Sequence, residues 1–201
     1  MELKTPIAPE YEKAVKFMLE TLKTELPNNL YYHGYHHTID VMEAAERIAR
    51  HENLTGEEKG LLRVAVSFHD AGFIYTYKNH EEKGCELAQE LLPGFGFSND
   101  QIAAICSMIM ATKTPQRPKN KLENIICDAD LDYLGRDDVY AVANTLFEEV
   151  KIYFKLVDER AWDELQVNFL NAHHYHTTFA LQNRAAKKQQ YLDSLIKKWN
   201  P

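Results

Sequence analysis

Apolar residues recur along most of the chain at intervals of three and four positions, the spacing of one face of an α-helix. In the first such segment Val15, Met18, Leu22 and Leu26 follow this spacing, until Pro27 interrupts it. The strict alternation of apolar and polar residues that is typical of half-buried strands is almost absent. The pattern therefore predicts an all-α fold, a bundle of roughly seven to eight helices.

Local signals indicate where several of these helices begin and end. Thr55 with Glu58, and Ser98 with Gln101, have the spacing of a capping box, so each pair is expected to begin a helix. The segment 112–121 contains two prolines and several basic residues and is predicted to be a loop. The predicted helices span about 9–26, 35–50, 55–72, 80–92, 98–112, 122–134, 137–156 and 159–199.

Composition limits the class of protein. With 201 residues, 45% hydrophobic and 26% charged, the chain suits one globular domain over 1–201, whose helices 137–199 pack on a core of about 30–135. A net charge of -7 argues against a nucleic-acid duplex as partner, because such proteins usually carry a basic face. The charge leaves open a small anionic partner bound in a local pocket.

Nothing in the sequence indicates a membrane or an oxidising compartment. No apolar run approaches the roughly 18 residues that a membrane-spanning helix needs, and the N-terminal residues lack the pattern of a signal peptide. Three cysteines, an odd number, form no CxxC pair and are interpreted as free thiols. A cytoplasmic protein is expected.

Histidines are concentrated in the stretch YYHGYHHTID, residues 31–40. Imidazole is the commonest metal ligand in proteins and the usual proton carrier near neutral pH. His33 and His37 are four residues apart, which places them on one face of any helix there. His36 lies between them. The stretch therefore suggests a metal site or a proton-transfer site.

Two further stretches combine carboxylates with apolar surroundings. In SFHDAGF, His69 and Asp70 end an apolar helix, where a buried carboxylate needs a cation or hydrogen bonds to compensate its charge. In ICDADLDYLG, Asp128, Asp130 and Asp132 lie within five residues and repel one another unless they are exposed or bound to a cation.

The ordered combination YHxxxHT, HD and DADL resembles the HD-domain metal-dependent phosphohydrolases over about residues 30–135. The resemblance implies a helical bundle that presents four side chains to one metal ion: His37, His69, Asp70 and Asp130. The neighbours His36 and Asp128 remain alternatives for the first and last ligand.

The resemblance also implies a cofactor. Two imidazoles and two carboxylates suit Mn, Fe, Zn, Co or Ni. Dinuclear members of the superfamily carry further histidines between the HD pair and the last aspartate, where this chain has only His80. One divalent metal ion per chain is therefore expected, and Mg²⁺ can add a second position together with substrate.

The implied activity is hydrolysis of a phosphate ester or anhydride in a small phosphorylated molecule, with a nucleotide as the favoured substrate. In this hypothesis Asp70 or Asp130 orients the attacking water, and His33 or His80 protonates the leaving oxygen. Lys113, at the start of the basic loop, steadies the phosphate.

Two alternatives differ in class: a non-catalytic module that binds metal and nucleotide, and an iron-dependent HD oxygenase with a dinuclear site. The second histidine cluster, AHHYHTTF at residues 172–179, is interpreted as mainly structural. The sequence does not determine the oligomeric state.

Overall fold

The computed structural model describes residues 9–199. Within that range it contains ten α-helices, three short 3₁₀-helices and no strand, so the all-α prediction is confirmed and the helix count is somewhat higher than predicted. The α-helices are α1 Tyr11–Glu25, α2 Tyr35–His51, α3 Gly56–Phe68, α4 His80–Leu91, α5 Asn99–Thr112, α6 Lys121–Asp130, α7 Val139–Phe154, α8 Glu159–Ala172, α9 Thr178–Asn183 and α10 Ala185–Trp199. The 3₁₀-helices are Ala71–Ile74, Leu92–Phe95 and Asp132–Gly135.

Helices α1 to α6 enclose the larger hydrophobic core. Helix α3 lies at its centre and packs against α1, α2 and α5, which explains why seven of its residues, among them Leu62, Val64 and Phe68, are buried. Both predicted capping boxes are present, at the start of α3 and of α5. The buried centre of the bundle holds the end of α3, where the HD dipeptide lies.

A second, smaller core joins α7, α8 and α10 to the 3₁₀-helix Asp132–Gly135. Tyr32, from the segment before α2, also belongs to this cluster and is 5% exposed. The His33 region therefore lies at the junction of the two cores, within reach of side chains from the C-terminal helices.

The single long helix predicted over 159–199 is wrong: the chain forms α8, α9 and α10, with residues 173–177 non-helical between the first two. The backbone N–H groups of His176 and Thr177 donate to the buried carboxylate of Asp128, and the Thr177 side chain caps α9. These long-range bonds replace helical ones. The predicted helix 122–134 is likewise shorter, because α6 ends at Asp130.

Among residues 9–199 no helix combines the length and the apolar character that crossing a bilayer requires.

Candidate metal centre and adjoining cavity

Four side chains, positioned by the three helices α2, α3 and α6, converge on a single point. His37 lies in the first turn of α2, His69 and Asp70 follow α3, and Asp130 is the last residue of α6. The ligand atoms of the first three all lie within 4.8 Å of one another. Nε2 of His37 is 3.2 Å from Oδ1 of Asp130 and 3.5 Å from Oδ2 of Asp70, and Nε2 of His69 is 3.7 Å and 3.3 Å from the same atoms.

The orientation of His69 is fixed by its other ring nitrogen. Nδ1 donates a hydrogen bond of 2.7 Å to the carbonyl oxygen of Val66 within α3. Nε2 is therefore the atom directed at the carboxylates, and it is the atom that would bind a cation once the cation displaces its proton. The last turn of α3 thus positions His69 before any ligand binds.

Two polar atoms of this cluster, Nε2 of His69 and Oδ2 of Asp70, are buried and lie 3.3 Å apart, but no well-oriented hydrogen bond joins them to each other or to another group. Leaving a buried polar atom unpaired is unfavourable, and for a carboxylate it is strongly so. A divalent cation between them would accept both lone pairs, so the donor set fits a metal ion. Imidazole and carboxylate together suit Mn, Fe, Zn, Co or Ni.

The electrostatic potential of the cluster is negative enough to retain a proton on a buried imidazole. Burial of His69 opposes its charged form, but the carboxylates of Asp70 and Asp130 outweigh burial and raise its pKa to about 9. The same neighbourhood holds the pKa of the Asp70 carboxyl well below its usual range, in spite of burial, because His69 and other imidazoles surround it. Such a site attracts positive charge.

His33 lies just before α2 and is held by a carboxylate that the sequence analysis missed. Nδ1 of His33 donates to Oε1 of Glu149 over 2.5 Å, and the backbone N–H groups of Tyr32 and His33 donate to Oε2. Burial opposes protonation of His33, yet the bond to Glu149 and the charge of Asp70 raise its pKa. Glu149 comes from α7, and its position on a helix of the C-terminal half gave no local sequence signal.

His80 begins α4, and the centroid of its ring lies 6.1 Å from that of His33. Its Nε2 lies 3.5 Å from Oδ1 of Asp70 and 3.5 Å from Oε1 of Glu81. The close approach depends on Gly72, where a Cβ atom would lie 2.0 Å from the backbone oxygen of His80. The rings of His33 and His80 both stack on Phe73, with centroids 4.5 Å and 3.9 Å away.

The alternative ligands lie elsewhere. His36 is exposed, next to Asp40 and Arg136 on another face of α2. The carboxylate of Asp128 is fully buried against the N–H groups of residues 176–177. Asp132 accepts hydrogen bonds from Arg47 and Arg184. His36, Asp128 and Asp132 therefore do not belong to the four converging side chains.

Lys113 is not part of the cluster. Its ammonium group bonds to the carboxylate of Glu82 and to the side-chain oxygen of Asn79, and 35% of its side chain is exposed. Lys113 also does not line the cavity that opens beside the converging side chains. The prediction that Lys113 steadies a phosphate remains untested, and it would require the lysine to leave Glu82.

The second histidine cluster lies mostly in the non-helical segment 173–177 after α8, and not within the single helix predicted over 159–199. His173 is buried, and its Nδ1 is 3.3 Å from Nζ of Lys188. These contacts agree with a structural role.

A cavity of about 340 Å³ opens beside the converging side chains. Its lining combines Asp70, Asp130, His33 and His80 with side chains of α7, α8 and α10. Side chains able to hold a cation and side chains able to exchange a proton therefore face one space large enough for a small molecule.

Comparisons with known proteins agree with this geometry. The family model for the HD domain matches residues 34–132, which include all four converging residues. A structure described as a predicted HD superfamily hydrolase from an uncultured Thermotogales bacterium is 22% identical, with a TM-score of 0.60 over 95% of this chain and 91% of that one. A protein from Lactobacillus plantarum is 16% identical, with a TM-score of 0.68 over 94% and 98%.

At these identities the structural matches establish the fold alone. Among the curated proteins no match was found.

Proposed function

We propose that this chain, which matches the family model for the HD domain over residues 34–132, is a metal-dependent hydrolase that cleaves a phosphate ester or anhydride of a small phosphorylated molecule. The observation that carries the proposal is the pair of buried atoms without a hydrogen-bond partner, Nε2 of His69 and Oδ2 of Asp70. Asp70 also lines the cavity, so this pair lies next to a space that a small molecule can enter. Such atoms are expected where a ligand completes the site.

In the proposal His37, His69, Asp70 and Asp130 hold one divalent ion. When bound, the ion supplies a Lewis acid that polarises a phosphoryl oxygen and activates water at neutral pH. The remaining carboxylate oxygens of Asp70 and Asp130 orient the attacking water, since both residues line the cavity.

His33 is the proposed proton donor to the leaving oxygen. Its Nδ1 is engaged by Glu149, which leaves Nε2 as the atom able to give a proton into the cavity. His80 lines the same cavity and contacts Asp70 and Glu81, a position that suits orientation of the Asp70 carboxylate. Phe73 keeps both imidazole rings in place by stacking.

The experiment that tests the proposal measures metal content and phosphate release together. Purified protein, reconstituted with Mn²⁺ or Zn²⁺, is expected to hold close to one ion per chain and to release phosphate from members of a panel of phosphate esters and nucleotides. His37→Gln should lose the metal and the activity. His36→Gln is the matched control, because the adjacent His36 is exposed and should leave both intact.

A metal-free wild type after reconstitution would refute the metal site. A metal-loaded protein that releases no phosphate from any compound, but binds nucleotides, would instead favour the non-catalytic module.

A further inference from the structure

One wall of the cavity is built by a single face of α8. Trp162, Leu165 and Phe169 follow one another at spacings of three and four, so their side chains lie side by side on that helix. Trp162 is held by stacking on Phe147 of α7, with parallel rings whose centroids are 5.3 Å apart. The wall is therefore both apolar and supported from behind.

This wall, hereafter the α8 wall (Trp162, Leu165 and Phe169), is not buried by the protein itself. Leu165 is 53% exposed, and the other two are partly exposed. Clustered large apolar side chains that face a cavity are typical of a surface that a ligand covers.

The wall also has few hydrogen-bond donors or acceptors that are free to bind a ligand. Gln166 lies on it, but its Oε1 accepts from the Tyr191 hydroxyl over 2.5 Å and its Nε2 donates to Asp163 over 3.1 Å. An organic group that is rich in hydroxyls would lose its water here and find little in return.

Carboxylates dominate the charge of the cavity, where the imidazoles of His33 and His80 are the basic groups in the lining. Asp70, Glu81 and Asp130 line the cavity, and among residues 9–199 no lysine or arginine does. Proteins that bind polyphosphates normally use basic side chains in addition to a metal ion. A phosphate monoester has about -1.5 to -2 charges at pH 7, which one divalent ion can balance. Each further phosphate would add negative charge opposite carboxylates.

From these observations we infer that the α8 wall binds the uncharged aromatic or aliphatic group of a phosphate monoester, and that the site discriminates against diphosphates, triphosphates and polar esters. The inference rests on the proposed hydrolase function and narrows it: the bond cleaved is an ester, and specificity comes from α8. Leu165 lies at the exposed edge of the wall, so a substitution there is the simplest way to test this substrate preference.

The test uses three esters of primary alcohols: phenethyl phosphate, glycerol phosphate and phenethyl diphosphate. Cleavage is measured as the alcohol released, because ester cleavage of the diphosphate gives phenethanol and diphosphate, whereas anhydride cleavage gives phenethyl phosphate and phosphate. With the metal-loaded full-length protein, kcat/KM for phenethyl phosphate is expected to exceed each of the other two by about tenfold or more, the scale of discrimination that apolar contacts provide. A phenylalkyl phosphonate, which is not hydrolysed, provides a second readout: its Kd, measured by calorimetry.

Leu165→Arg places a cation at the wall and should reduce the preference for phenethyl phosphate over its diphosphate by about tenfold and weaken phosphonate binding. Leu181→Arg is the matched control. Leu181 is 54% exposed on α9 and does not line the cavity, so the same substitution there should change neither ratio nor Kd.

Hydrolysis with a preference for the diphosphate or for glycerol phosphate would overturn the inference and leave the hydrolase function standing. Equal substrate ratios in Leu165→Arg and Leu181→Arg would overturn it as well. If no ester is hydrolysed but the phosphonate binds in a Leu165-dependent way, the wall is supported and the hydrolase function is refuted.

Discussion

Replacing Glu149 by glutamine tests how the C-terminal helices control the proposed proton donor. Glu149 is fully buried, and its carboxylate accepts four hydrogen bonds: from the backbone N–H groups of Tyr32 and His33, from Nδ1 of His33 and from the hydroxyl of Tyr77. A glutamine has the same shape but only one accepting oxygen. If that oxygen keeps the two backbone donors, the amide NH₂ faces His33 and Tyr77.

Two consequences follow. The NH₂ group donates to Nδ1 of His33, so the neutral ring now holds its proton on Nε2, the reverse of the wild-type tautomer. The charge that helps to raise the pKa of His33 is also lost, while the burial that opposes protonation remains. The variant should therefore hold less protonated His33 at neutral pH.

Glu149→Gln should lower both the free energy of unfolding and the rate of hydrolysis. A hydrogen bond to a charged group stabilises by about 1.5–3 kcal/mol and a neutral one by about 1 kcal/mol, so loss of the charge from all four bonds lowers the free energy of unfolding by about 2 kcal/mol or more. Loss of a general acid lowers the rate by about 10²–10⁴-fold. Metal content should not change, because Glu149 does not contact the converging residues.

The assay combines urea unfolding with turnover of two esters, one with a poor leaving alcohol and one that releases nitrophenol. Turnover of the first should fall in Glu149→Gln, while the second, whose leaving group departs without protonation, should suffer much less. Glu148→Gln is the control, since the adjacent Glu148 is a surface residue paired with Lys151. Equal losses on both esters would show that Glu149 is structural and that His33 is not the donor.

Two further predictions concern Asp130 and His173. Asp130→Asn should lose most of the metal. Asp128→Asn should retain the metal but lower the free energy of unfolding, because the Asp128 carboxylate anchors residues 176–177. Elemental analysis measures the first effect and urea unfolding the second, and metal loss in Asp128→Asn alone would show that Asp128 is the ligand. Burial, reinforced by the nearby Lys188 ammonium, lowers the pKa of His173 from its ordinary value of 6.5 to about 3. Between these two pH values the unfolded state binds a proton at His173 and the folded state does not. Stability should therefore fall as the pH drops below about 6.5, by about 2 kcal/mol at pH 5, and His173→Gln should remove that part of the pH dependence in unfolding curves; identical pH profiles would contradict it.

Local features of the structure were predictable because their physics is local. The capping boxes of α3 and α5 each involve residues three apart, and both form as predicted. Apolar spacing likewise gave the helical class. The four converging residues were identified from a resemblance rather than from spacing, since they come from separate helices; the structure brings them together, while their roles remain a prediction.

Features that depend on long-range contacts were missed. Glu149 is 116 residues from His33 in sequence, and in an amphipathic helix it is indistinguishable from a surface glutamate. The break after α8 arises because Asp128 accepts the N–H groups of residues 176–177, 48 and 49 residues away. Helical periodicity continues across that segment, so the pattern alone favoured one long helix.

Asp128 and Asp130 illustrate how one helix serves two purposes. Residues two apart on a helix point about 200° away from each other, so the two carboxylates cannot face the same ion. Asp130 faces the imidazoles, and Asp128 faces the C-terminal segment. The HD-domain match ends at residue 132, yet the carboxylate that holds His33 comes from α7 and the apolar wall of the cavity comes from α8. The matched segment thus contains the proposed metal ligands. Proton transfer and substrate preference, in the functions proposed above, depend on helices beyond it, which Asp128 helps to dock.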